Sequence, residues 1–279
     1  MYKSQRLSIG SQALIACLTM LSATVAHSQA LPDAIAKSRT IKVAVNAIYP
    51  PMEYKDPESG DLVGFDIDLG NAIAKELNVK LDWHESAFEQ LLPSLTSGRV
   101  DMVLSGVSDL PARHASVDFL DYFSSGAQFY VLSSTENEFK KPTDLCGKSV
   151  GTSRSTSFPA DIKAWSEKNC VGKAPIDVIG TEDTSAARLQ LKQKRIAGGV
   201  QGSETLPYNM KLEPNTFKPL GGPFAISPMG IAFAKNNTAL RDAVHGALDK
   251  LIENGTYSKI ATKWALQSSR VEKITLNGK

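Results

Sequence analysis

The run SGVSDLPAR, Ser105 to Arg113, sets two hydroxyls and a glycine ahead of a proline turn, with an arginine two residues past the proline. Hydroxyls and unhindered backbone N–H groups donate hydrogen bonds. A guanidinium presents a planar fork that grips a carboxylate through two parallel bonds, which an ammonium cannot reproduce. The chemistry this combination suits is recognition of a small carboxylate. The run begins at the end of VDMVLSG, an apolar stretch that reads as a buried strand. Ligands of open α/β sheets bind beyond the carboxyl ends of the strands. Ser105, Gly106 and Ser108 are therefore expected at a cleft with free backbone N–H groups, and Arg113, at the start of the following helix, is expected to fold back over them. The plainer reading is a surface arginine, but a helix N-terminus disfavours a cation there.

A second constellation lies in GTSRSTSF, where Ser153, Thr156 and Ser157 follow a short strand and lead into a helix. Hydroxyls together with helix-terminal amides form an anion-friendly site, although Ser157 could equally serve as a plain N-cap. No nucleophile–base pair and no phosphate-binding glycine loop points to catalysis. The four histidines, His27, His84, His114 and His245, are scattered without ligand spacing. No metal and no cofactor is expected.

These groups are expected on an exported chain. Residues 1–30 carry Lys3 and Arg6, an apolar stretch from Ala13 to Ala26, then Ser28 and Ala30 at the minus-three and minus-one positions of a signal-peptidase site. A lipobox-like Leu14-Ile15-Ala16-Cys17 competes, but Cys17 falls inside the apolar run instead of closing it. Cleavage after Ala30 removes two cations and no acid, so 31 Lys+Arg become 29 against 29 Asp+Glu. A formally neutral mature chain argues against nucleic acid or anionic membrane as the main partner. Cys146 and Cys170 remain, an even count in an oxidising compartment. KSVGTS reads as a strand and SFPADIKAWSEKN as its crossover helix, so a strand start and a helix end fall at the same end of one unit. A disulfide between Cys146 and Cys170 is expected, with a metal site the weaker rival.

Along the rest of the chain short strands alternate with single helices. TIKVAVN and VKLDWHE read as strands, MEYKDPESGDLVGFD as a hairpin, and DIDLGNAIAKELN as a helix with Asp66 as its N-cap. AFEQLLPSLTSG is a helix closed by Gly98, and the C-terminal part reads as two helices broken at Gly255. Such alternation implies a largely parallel sheet, here as two α/β lobes.

Five stretches in order, VNAIYPPMEYKD, GFDIDLGNAIAKELN, LLPSLTSGRVDMVLSGVSDLPARHASVDF, DLCGKSVG and NGTYSKIATKW, resemble the periplasmic solute-binding proteins of polar amino acid ABC transporters, the family 3 type. The resemblance implies a type II periplasmic binding protein fold, an α/β architecture of two lobes with a ligand cleft between them and two hinge strands. By that template residues 1–30 are the signal peptide, 31–126 and 223–279 form lobe one, and 127–222 form lobe two. It implies a monomer in the periplasm that captures a small carboxylate-bearing ligand, an amino acid or a related compound, and delivers it to an inner-membrane permease. The matching arginine, Arg113, would clamp the ligand carboxylate, with Ser105, Gly106 and Ser108 donating to it. Asn46 would be a ligand contact and Tyr49 an aromatic lid. Phe88 would be the facing wall or plain core, and Ser153, Thr156 and Ser157 would close from lobe two.

One position departs from the pattern. Many such binders hold the ligand α-ammonium with an aspartate after the last strand of lobe two, and here that position is Gly202. Glu204 either reaches in as a substitute or is a solvated residue at a helix start. Without a replacement, a buried ammonium would be poorly paired, which favours a ligand lacking a free α-amine. Two other functions use the same scaffold: a cyclohexadienyl or arogenate dehydratase-like enzyme, with Glu204 the only acid available for general-acid work, and a ligand sensor for a membrane receptor.

Overall fold

The computed structural model describes Met1 and residues 30–279, so the expected leader lies almost entirely outside the described residues. Helix α1 (Asp33–Ser38) precedes β1 (Thr40–Val45), and a small antiparallel sheet follows: β2 (Ile48–Tyr49), β3 (Glu53–Lys55) and β4 (Leu62–Val63). Helix α2 (Phe65–Leu77) leads to β5 (Lys80–Glu85), α3 (Leu91–Thr96), β6 (Met102–Val103) and the long β7 (Val117–Leu132). Then come β8 (Ser149–Ser153), α4 (Phe158–Asn169), β9 (Asp177–Thr181), α5 (Thr184–Lys192), β10 (Gly198–Gly202), α6 (Leu206–Leu212) and β11 (Phe217–Pro219). The chain closes with β12 (Phe224–Ala234), α7 (Thr238–Glu253), α8 (Thr256–Lys263) and β13 (Arg270–Leu276).

The main sheet runs β5-β1-β6-β12-β7-β10-β8-β9. β1 is parallel to β5 and β6, and β8 is parallel to β9 and β10, as single-helix crossovers require. The antiparallel pair β7 and β12 joins the two parallel sets. Residues Val117–Ser125 of β7 pair with β12 on the β1 side, while Ala127–Tyr130 pair with β10 on the β8 side. The pairing of β12 slips between Phe224 and Ser227, next to this crossing.

Strand alternation builds a core on each face of each set. Ile41 and Val43 of β1 pack with Leu69 and Ile73 of α2 and Val244 and Leu248 of α7, and Ala44 packs on the opposite face with Leu91 and Leu95 of α3. On the far side Phe129 and Val131 join Val150 and Ile162, whereas Tyr130 and Leu132 join Leu191 and Ile196. No cluster of buried apolar side chains merges the two sets among the described residues. The molecule is two lobes sharing two crossing strands, and motion between them costs little apolar burial.

Cys146 and Cys170 are bonded, with Cα atoms 5.6 Å apart, just before β8 and just after α4. Three expectations need correction. Asp66 is not an N-cap: Gly64 holds that position and Asp66 is fully buried inside the first turn. VDMVLSG forms a ladder only at Met102–Val103, because Ser105 and Gly106 bend away into the site. No helix begins at Arg113; it ends a single 3-10 turn, Pro111–Arg113, and β7 starts four residues later. The helix-dipole objection to a bystander arginine therefore has no helix to act through.

Candidate functional site

Where the two lobes face each other the described residues enclose a cavity of about 260 Å³. That is just under the usual range for drug-sized ligands, and it suits a small metabolite. Ten of the eleven expected ligand contacts line it: Asn46, Tyr49, Phe88, Ser105, Gly106, Ser108 and Arg113 from lobe one, and Ser153, Thr156 and Ser157 from lobe two. Glu204 does not line it.

The lobe-one floor is tightly organised. Asn46 N–H donates to Ser105 Oγ (2.9 Å), Ser105 Oγ donates to Glu53 Oε1 (2.8 Å), and Asn46 Nδ2 donates to the Ser86 carbonyl (2.8 Å). Gly106 sits at φ +53°, where a glycine is at ease, with the Tyr49 ring 3.3 Å from where its Cβ would be. Its N–H is not free for a ligand, as had been expected; it donates to Asp66 Oδ2 at 2.9 Å. Arg113 Nη1 donates to the Ser108 carbonyl at 2.6 Å, so the turn itself aims the guanidinium. Arg113 forms no ion pair with a carboxylate among the described residues. Burial depresses its pKa, as expected for a cation held out of water.

Glu53, 1 % exposed, is a wall of the cavity that sequence reasoning missed. Burial first, and then the charge of Asp66, raise its carboxyl well above the usual range. Asp66 is pushed up to about 7 by burial, against bonds from Tyr122 and Gly106 that favour its charged form. Burial thus disfavours the charged form of both acids.

From lobe two, Thr156 Oγ1 donates to the Ser153 carbonyl (2.9 Å) and accepts from Phe158 N–H (3.3 Å). Ser157 occupies the N-cap position of α4, makes no side-chain cap bond and lines the cavity. Asp183 was also missed. It N-caps α5 by accepting from Ala186 N–H at 2.8 Å through Oδ1, and its Oδ2 has no protein partner among the described residues. Glu182, Asp183 and Thr184 all line the cavity, as does Glu89. The signal was present in VIGTEDTSAAR: acids at the carboxyl end of a strand, subject to the rule that placed Ser105. Phe88 fills both roles weighed for it, lining the cavity while packing on the Leu91–Leu95 core.

Glu204 is buried at 6 % exposure, where a solvated helix-start residue had been one expectation. It accepts from Tyr49 Oη at 2.7 Å and from Ser125 Oγ. Burial raises its pKa, with the two hydroxyl bonds opposing. Among the described residues no group of histidine, cysteine and acid side chains has the arrangement of a metal centre.

Two α/β lobes on paired crossing strands, with one guanidinium and many hydroxyls facing a cavity between them, define a protein that closes around a small solute. The chain belongs to the bacterial extracellular solute-binding proteins, family 3, matched over residues 41–267. It is 29% identical over 255 residues to the L-arginine-binding protein of Pseudomonas aeruginosa, covering 88% of this chain and 95% of that one. It is 27% identical over 262 residues to the L-cystine-binding protein of Escherichia coli, covering 92% and 96%. Among solved structures, an ancestral arginine-binding protein bound to arginine superposes with TM-score 0.73 at 34% identity, covering 81% of this chain and 97% of that one. An ancestral amino-acid-binding protein described as a precursor of cyclohexadienyl dehydratase superposes with TM-score 0.73 at 28% identity, covering 83% and 98%. The chain is a ligand-binding solute receptor of the kind that serves ABC importers.

Proposed function

We propose that this protein captures an L-amino acid with a cationic side chain and presents it to an inner-membrane ABC permease. The observation that carries the reading is the charge pattern of the cavity. Arg113 is the one cationic side chain among the described lining residues, and it shares the cavity with Asp183 and, at its exposed rim, Glu89 and Glu182. Glu53, also in the wall, is not counted as a charge, because burial raises its carboxyl well above the usual range. One guanidinium calls for one ligand carboxylate. The excess of acid calls for more than one positive charge on the same ligand, since unpaired charges in a closed site are costly. Lobe-two acids, Asp183 foremost, then stand where Gly202 offers nothing, and the ligand without an α-amine becomes unnecessary. Arginine in the names of several relatives supports the same class.

We read the protein as a binder, as its named relatives are, in preference to an enzyme. Glu204, the one acid nominated for proton transfer, lies outside the cavity with both oxygens engaged by hydroxyls. We place it in the periplasm after cleavage following Ala30, with lobe one as 31–126 plus 223–279 and lobe two as 127–222. A panel of the twenty L-amino acids, with prephenate and arogenate, tests the reading by thermal shift and product analysis. Stabilisation by arginine, lysine or ornithine without turnover of either cyclic acid is expected. Turnover of prephenate or arogenate would move the protein to the dehydratase class, and stabilisation by neutral amino acids alone would remove the cationic ligand.

A further inference from the structure

We propose that Glu204 is a positioning residue, the lobe-two half of a latch that takes the Tyr49 hydroxyl as the lobes close and so sets how long the ligand is held. Tyr49 belongs to β2 of lobe one and lines the cavity with its ring, while its hydroxyl crosses to Glu204 Oε1 at 2.7 Å. The other carboxylate oxygen accepts from Ser125 Oγ, on the strand that passes between the lobes. Backbone pairing fixes the same loop to that strand, because the N–H of Ser203 donates to the Gly126 carbonyl at 2.9 Å. The acceptor is thus anchored before the donor arrives.

The chain also makes room for the contact. A Cβ on Gly202 would run into both the Tyr49 hydroxyl and Glu204 Oε1. The position that departs from the family pattern is therefore the slot the latch occupies. A second contact backs it along the same seam: Tyr54 of β3 packs against Tyr208 of α6, ring centroids 5.3 Å apart and planes tilted by 56°. One short hairpin of lobe one holds lobe two at two points, each made between protein groups alone.

A hydroxyl donated to a buried carboxylate is a charge-assisted bond, stronger than a neutral one. It forms as the lobes close and is lost when they part, so its removal should act on dissociation more than on association. The proposal goes beyond the reading of the ligand, and ligand-free measurements test it separately. Tyr49→Phe keeps the ring against the cavity and removes only the hydroxyl. With L-arginine as the probe in stopped-flow experiments, Tyr49→Phe is expected to raise the dissociation rate about 10–100-fold, the equivalent of one charged hydrogen bond. Association should change by less than about 3-fold. Glu204→Gln retains an acceptor and is expected to lose less than Tyr49→Phe. Small-angle scattering and a dye pair, one on each lobe, should show a larger open fraction for ligand-free Tyr49→Phe than for the unsubstituted protein. An unchanged open fraction overturns the latch, whatever ligand is bound. Where L-arginine fails to bind, the ligand reading falls and the ligand-free comparison still decides. If Glu204→Gln does not fold, Tyr49→Phe alone carries the test.

Discussion

Tyr122, on the strand shared by the two lobes, donates its hydroxyl to Asp66 at 2.9 Å, and the same carboxylate receives the N–H of Gly106 from the ligand loop. A carboxyl in the first turn of α2 thus fixes the floor of a site 40 residues away, and it does so while packed beside a second buried acid, Glu53. Burial raises the pKa of both carboxyls, so the floor of the site disfavours their charged forms.

Stability should therefore depend on pH with a definite sign. In the unfolded chain both carboxyls release their protons near pH 4. In the folded protein burial pushes Asp66 up to about 7 and holds Glu53 well above the usual carboxylate range. Between those limits the folded state binds more protons, so stability declines as pH rises through about 7. Urea unfolding at pH 5.5 and pH 8 should show the lower midpoint at pH 8, and Asp66→Asn should flatten the difference. A rising midpoint would refute the raised carboxyl pKa values.

Arg113→Lys should weaken binding of L-arginine by about 1.5–3 kcal/mol, the range for a hydrogen bond to a charged group, because a lysine keeps the charge but not the fork. The thermal midpoint should hold, as the Arg113 side chain contributes to the turn through one bond to the Ser108 carbonyl and the backbone bonds of the turn are untouched. Calorimetry checks the first statement and scanning calorimetry the second.

Cys146→Ser with Cys170→Ser should lower stability by about 3 kcal/mol, the chain-entropy value for a loop of this size, without abolishing ligand binding, since neither cysteine touches the cavity. Alkylation of the denatured, unreduced protein should detect no free thiol at either position.

Gly202→Asp, which by sequence would restore an ammonium partner, is expected to fail. Position 202 does not line the cavity, and any side chain there meets Tyr49 and Glu204. Even Gly202→Ala should weaken L-arginine binding by roughly tenfold, comparable to losing the charged hydrogen bond itself. Improved binding of any amino acid by Gly202→Asp would contradict this geometry.

The alternation of strands and helices, the position of the disulfide and the cleft end of VDMVLSG could be read from periodicity and turn residues alone. What escaped has identifiable causes. Strand β13 was missed because its pairing with β7 slips between Arg270 and Thr275, which breaks the period-2 pattern in RVEKITL. Gly106 was read as a free donor because its partner, Asp66, is distant in sequence and resembles an ordinary N-cap. Glu204 sits two residues from the expected acid, and only the three-dimensional path of the loop shows that its carboxylate turns to Tyr49 and Ser125. Asp183 was legible, since an acid after a strand and before TSAAR both caps a helix and faces the cleft.

The most direct test of the cationic-ligand reading is calorimetric titration of the purified protein with L-arginine and with L-citrulline, which has the same shape and hydrogen-bonding reach but no side-chain charge. Acids facing a desolvated side-chain cation predict at least about tenfold tighter binding of arginine, the equivalent of one charge-assisted hydrogen bond. Asp183→Asn should narrow that gap. Equal affinity for the two, or binding of citrulline alone, would contradict the assignment of the lobe-two acids to a ligand cation.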